Sequence, residues 1–107
     1  MTPQRQKRRN YILRMRRNRG LGQKQLALLL GHRSTHMVSK YERGTSLPPL
    51  ETALLLEIAL GVRLAELYVE LYQDLQLLVL KRADALPESV RRRLRGRLLG
   101  KDDDEHS

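Results

Sequence analysis

Glycine and proline punctuate this chain at short intervals, and between those positions leucine-rich apolar residues recur three and four places apart. That spacing lines up one face of an α-helix, which restricts the chain to short helices sharing a core. Tyr11, Ile12 and Met15 predict a first helix over residues 7–17, stopped near Gly20 and Gly22. A second, over 23–30, is closed by Gly31 as a left-handed cap. Ser34 suits the N-cap of a third helix over 35–43, which Gly44 ends. Pro48 and Pro49 start a fourth, because first-turn amides have no helical partner to lose, and Gly61 closes it after Leu54, Leu55, Ile58 and Ala59. A fifth begins near Arg63; the spacing of Leu64, Leu67, Tyr68, Leu71, Tyr72, Leu75 and Leu78 predicts that it runs on to about residue 83. Pro87 opens a last amphipathic helix with Val90, Leu94 and Leu98 on one face.

The 107 residues suit one modest core, built without Phe or Trp from Leu, Val, Ile, Ala, Met and four Tyr. Without Cys there is no disulfide framework and no thiol-based metal or redox site. Apolar runs such as 26–30 and 75–80 are far too short to cross a bilayer, and the polar start is not a secretory signal. A cytoplasmic protein without membrane contact is the expectation.

The net charge of +9 is unevenly placed. Residues 1–44 hold 12 basic side chains and one acid, residues 45–80 sum to −4, residues 81–101 to +6, and residues 102–107 to −4. A field concentrated in the first 44 residues is directed at a polyanion.

Gly20-Leu21-Gly22-Gln23, Leu26-Ala27, Leu30-Gly31, Val38-Ser39, Tyr41-Glu42-Arg43-Gly44, Pro48 and Leu60-Gly61-Val62 occur in that order. Together they resemble the helix-turn-helix domain of lambda repressor/Cro-like, or XRE-type, transcriptional regulators, over roughly residues 12–67. The resemblance implies an all-α fold: a five-helix DNA-binding domain with a C-terminal helical extension. The expected organisation is a basic arm (1–10), the DNA-binding domain (11–72), the extension (73–100) and an acidic tail (101–107).

Elementary chemistry accounts for these landmarks. Two helices joined by a tight turn need a small residue at their contact, which Ala27 supplies, and a residue free to take positive φ at the bend, which Gly31 supplies. Leu26, Leu30, Val38 and Tyr41 then face the core, and Thr35, His36, Ser39 and Lys40 remain outward. A major groove admits one helix and displays donors and acceptors on its base edges. The resemblance places Thr35, His36 and Lys40 at base-reading positions, with Ser39 beside them. Lys40 can donate to guanine O6 and N7, the Thr35 methyl can meet a thymine methyl, and His36 can bond guanine N7, each worth ~1–3 kcal/mol of discrimination. Gln23, at the start of its helix, takes the place of a residue that clamps backbone phosphate in the family, assisted by Lys24. Arg33 and Arg43, flanking the third helix, are further phosphate candidates; such contacts fix register without reading sequence. The family also pairs the position of Arg16 with that of Glu42, the one acid before residue 45, which implies a partly buried ion pair. His36 and His32 lie across the turn from each other without a carboxylate or thiol to complete a metal site, so no metal and no cofactor is expected.

Two departures stand out. Between Gly31 and Val38 there is one residue more than the commonest family spacing. Keeping Val38 and Tyr41 buried assigns it to the turn His32-Arg33-Ser34; inside the helix it would rotate the outward set by about 100°. Gly22 stands where the family often has a Ser or Thr cap.

The basic arm can track phosphates or enter a minor groove. The extension either packs on its own domain or buries its stripe against a second copy, and a homodimer is the expectation, its two readers about 34–36 Å apart. These features describe a sequence-specific double-stranded DNA-binding regulator, a repressor acting as a homodimer on a two-fold operator. The alternative is an antitoxin-type protein whose C-terminal region binds a partner protein. With no phosphate-cradling Gly loop and no nucleophile beside a base, an enzyme is not expected. RNA-binding modules usually present exposed stacking aromatics, whereas Tyr41 belongs to the core pattern.

Overall fold

The computed structural model describes residues 9–98, so the basic arm up to residue 8 and the acidic tail lie outside the described residues. Those residues form seven α-helices and no strand. They are α1 (Ile12–Asn18), α2 (Gln23–Leu29), α3 (His36–Arg43), α4 (Leu50–Leu60), α5 (Leu64–Leu67), α6 (Val69–Arg82) and α7 (Glu88–Leu98). A 3-10 turn, Ala83–Ala85, precedes α7. The chain divides into two compact units, one through Leu71 and the other from Tyr72 onward.

In the first unit the core joins Ile12 from α1, Leu26 and Ala27 from α2, and Val38 and Tyr41 from α3 to Leu56 and Leu60 of α4 and to Leu67 and Tyr68. Gly31, Gly44 and Gly61 take φ of 80°, 78° and 67°, left-handed values that end helices where L side chains are strained.

Outside α3, the structure corrects the predicted elements at two points. Residues 9–11 are not helical, and α1 starts at Ile12. Asn10 is the cause: its Oδ1 accepts from the Ile12 amide at 3.0 Å and its Nδ2 donates to the Tyr41 carbonyl at 2.9 Å. The predicted continuous helix from residue 63 to 83 breaks at Tyr68, which takes φ −124° and ψ 58°. The Leu67 carbonyl, which a continuing helix would use itself, accepts from the Tyr11 amide at 2.9 Å, and the break buries both Leu67 and Tyr68. In α4, for which no inner face was predicted, Ala53, Leu56 and Leu60 turn inward, while Leu54, Leu55 and Ile58 are exposed and Ala59 packs at the core margin. Leucine, isoleucine and alanine occur on nearly all sides of this helix, so periodicity does not select its inner face.

The Tyr68 hydroxyl is buried with no hydrogen-bond partner among the described residues. Burial, and secondarily the neighbouring Tyr41, pushes its pKa from 10.0 up to about 12. Its share of stability is therefore complete below pH 10 and disappears as pH rises through the folded value. Urea midpoints should fall above pH 10, and Tyr68→Phe should remove most of that fall. Near pH 7 the same variant should be neutral or more stable by ~1 kcal/mol, because an unsatisfied hydroxyl leaves the core. An alkaline decline identical in both proteins would assign it to another group.

In the second unit, the Arg91 amide bonds the Pro87 carbonyl at 2.9 Å, setting the start of α7. Gln76 Nε2 donates to the Leu98 carbonyl at 3.3 Å, bringing the end of α7 back to α6. Glu88 pairs with Arg91 and Arg92 along the helix surface, contacts that contribute little in water.

Candidate nucleic-acid interface

The sequence from Gln23 to Arg43 builds a helix, a turn and a second helix. Gly22 lacks a capping side chain, yet its amide donates to Gln25 Oε1 at 2.7 Å, which supplies one half of a capping box and supports the start of α2. Residues 31–35 are not helical and α3 starts at His36, one residue later than its predicted start. The extra residue therefore lies in the turn. Ser34 Oγ accepts from the His36 amide at 3.3 Å, and Thr35 occupies the N-cap position without a side-chain cap bond.

On α3, Val38 and Tyr41 are buried whereas His36 and Arg43 are exposed, with Ser39 and Lys40 half-buried. Positions 36, 39, 40 and 43 share one helix face, being separated by three, four and seven residues. Arg43 Nη1 donates to Ser39 Oγ at 2.6 Å, which draws the guanidinium back along that face. Lys40 takes part in none of the ion pairs among the described residues. A cleft of about 700 Å³ between α2 and the turn is lined by Lys24, Gln25 and Leu28 of α2 and by Arg33, Ser34 and Thr35 of the turn. The structure thus groups Lys24 with Arg33 and Thr35, and Ser39 with Arg43.

Gln23 belongs to a third group. Arg16 Nε donates to Glu42 Oε2 at 2.5 Å and Arg16 Nη2 to Glu42 Oε1 at 3.3 Å, with both side chains less than a tenth exposed. Gln23 Nε2 donates to the same Oε1 at 2.9 Å, and Arg16 Nη1 to the Leu21 carbonyl at 2.9 Å. Glu42 sits in the last turn of α3, where the helix dipole disfavours a carboxylate, so its donors compensate an adverse position. An amide nitrogen has two hydrogens. With one held by Glu42, the second leaves Gln23 at the first turn of α2, where backbone amides also point outward.

Sequence reasoning missed Asn10 and Arg19, two braces of this assembly. Asn10 bonds the Tyr41 carbonyl from 31 residues away, and Arg19 Nε bonds the Leu60 carbonyl at 2.7 Å. No local pattern announces either; Gln25 was missed as well, although a Gln three residues after a cap position is a signal that could have found it. Among the described residues no group of three or more His, Cys, Asp or Glu could hold a metal ion, and no helix is long and apolar enough to cross a membrane.

A family model described as helix-turn-helix matches residues 12–67, more than half of the chain. Neither the curated proteins nor the solved structures return a match.

Proposed function

The chain belongs to the helix-turn-helix family of XRE-type, lambda repressor/Cro-like DNA-binding transcriptional regulators, and we propose that it acts in the cytoplasm as a sequence-specific repressor, a homodimer occupying a two-fold operator in double-stranded DNA. The observation that carries this reading is the face of α3. Its apolar side is spent on the core, while His36, Ser39, Lys40 and Arg43 stand outward beside the clefted, cationic turn.

In this reading Thr35, His36, Ser39 and Lys40 meet base edges. Gln23, Lys24, Arg33 and Arg43 meet phosphates, with Gln23 aimed by Glu42. The second hydrogen of Gln23 Nε2 and the cations of the cleft suit phosphate oxygens, which only accept. Arg33, in the lengthened turn, adds to the backbone contacts. Bound this way over a promoter, the protein excludes the transcription machinery without needing any catalytic group.

Selection of bound sites from a random duplex pool tests the assignment, repeated with Lys40→Ala and Gln23→Ala. The expected motif has two-fold symmetry with half-sites about one helical turn apart. Lys40→Ala should relax one base position, a loss of ~1–3 kcal/mol in discrimination, whereas Gln23→Ala, which removes a neutral hydrogen-bonding group, should weaken all sequences alike and leave the salt slope unchanged. Binding without an enriched motif would remove the base-reading roles.

A second reading has its own observation: Tyr72, Leu75, Leu77 and Val79 leave apolar surface on α6 exposed. An antitoxin-type protein would cover that surface with an unrelated partner, and defined co-purification of a stoichiometric small protein would favour it.

A further inference from the structure

The outer face of α4 has no role in the reading above. Leu50 and Ile58 are 72% and 76% exposed, and Leu47, Leu54 and Leu55 are also exposed. An apolar stripe opposite a buried one is expected of a helix covered on both sides. With Leu47 before the helix and Leu55 beyond Glu51, these five side chains expose on the order of 500 Å² of apolar surface, the range in which exposed patches mark interaction sites. Two copies of it reach about 1,000 Å², the lower bound for a specific interface.

The occupant follows from charge and symmetry. Residues 45–80 carry net −4 against +11 for residues 1–44, so this face does not attract the polyanion that the first half of the chain addresses. Leu50, Leu54 and Ile58 are spaced by four residues and centred on Leu54, so an antiparallel second α4 sets Leu50 against Ile58 of the other copy and Leu54 against itself. Such self-matching is what an isologous two-fold contact requires. Glu51 and Glu57 lie about 120° apart around the helix, on either side of the stripe. The face also belongs to the compact unit that carries α3. A contact there sets the distance between two α3 helices directly.

We propose that the outer face of α4, with Leu50, Leu54 and Ile58 at its centre, is the homodimer interface that positions two copies of this chain on a two-fold site. This rests on the two-fold operator reading and replaces the C-terminal extension as the place of pairing.

Sedimentation equilibrium on the full chain, with and without operator duplex, tests it with four variants. Ile58→Lys changes a side chain that is already three-quarters exposed, and its fold is checked by circular dichroism. It should raise the dimer dissociation constant at least about 100-fold, because a charged ammonium would have to leave water at the contact. Leu54→Cys, in a chain without cysteine, should give a disulfide-linked dimer on mild oxidation. Leu75→Lys and Leu75→Cys, on α6, should leave dimerisation unchanged and form no cross-link. A monomer at every concentration with and without DNA overturns the proposal, as does a dimer insensitive to Ile58→Lys but abolished by Leu75→Lys. Duplex binding is scored separately. A folded Ile58→Lys monomer should still bind an isolated half-site while losing preference for half-site spacing; a wild-type dimer that binds no duplex would instead defeat the operator reading and leave the interface standing.

Discussion

Glu42→Gln should cost ~3–5 kcal/mol of stability, the range seen when one partner of a buried ion pair is removed. The substitution keeps shape and volume but leaves the Arg16 guanidinium, less than a tenth exposed, without its counter-charge. It also converts one acceptor oxygen into a donor amide, and both carboxylate oxygens already receive N–H groups from Arg16 or Gln23. A donor then faces a donor whichever way the new amide turns. At roughly 4–8 °C per kcal/mol for a domain of this size, the melting midpoint should drop by at least about 12 °C. The double variant Arg16→Met with Glu42→Leu should recover most of the loss, since replacing both charges removes the uncompensated one. An unchanged midpoint for Glu42→Gln would mean that the pair is exposed in solution. DNA affinity should fall by more than the unfolded fraction explains, because Gln23 loses the group that aims it.

Ala27→Leu should be the second large effect. Ala27 is almost fully buried in the core cluster where α2 meets α3, and its carbonyl accepts from the amides of Leu30 and His32 at the start of the turn. Extra methylenes at such a contact cost ~1–3 kcal/mol through forced rotamers and backbone shifts. The only relief open to a rigid helix pair is separation, which moves α3 relative to α2. Binding to duplex should therefore fall at least about tenfold even under conditions where circular dichroism finds the variant fully folded, since small misplacements forfeit whole base contacts of ~1–3 kcal/mol. Ala27→Gly, which leaves the contact loose instead of crowded, should lower stability by about 1 kcal/mol with a smaller effect on binding. Equal DNA affinity for wild type and Ala27→Leu would show that the spacing of α2 and α3 does not govern recognition.

Much of the first unit is legible in the chain because its boundaries are set by single-residue properties. Gly31, Gly44 and Gly61 end helices at positive φ, a preference that needs no knowledge of distant residues. The extra turn residue could likewise be placed in advance, because any other position would expose Val38 and Tyr41. The candidate site is legible to a lesser degree. Arg16 and Glu42 can be matched by charge alone, but nothing local announces that Gln23 shares the carboxylate or that Arg43 folds back onto Ser39.

What the sequence by itself determined is which segments are helices, where most of them stop, and which residues of α2 and α3 turn inward. Those outcomes follow from φ preferences and a period of about 3.6 residues, both short-range. Only the tertiary structure decided the rest. The break at Tyr68 exists because the distant Tyr11 takes the Leu67 carbonyl, and α1 starts where Asn10 ties it to Tyr41. The inner face of α4 was chosen by the shape of the core it had to fill, since a helix with apolar residues on nearly all sides offers little preference of its own. Backbone groups satisfied across the fold and apolar faces left over after packing are properties of the assembled chain, and no window of sequence contains both partners.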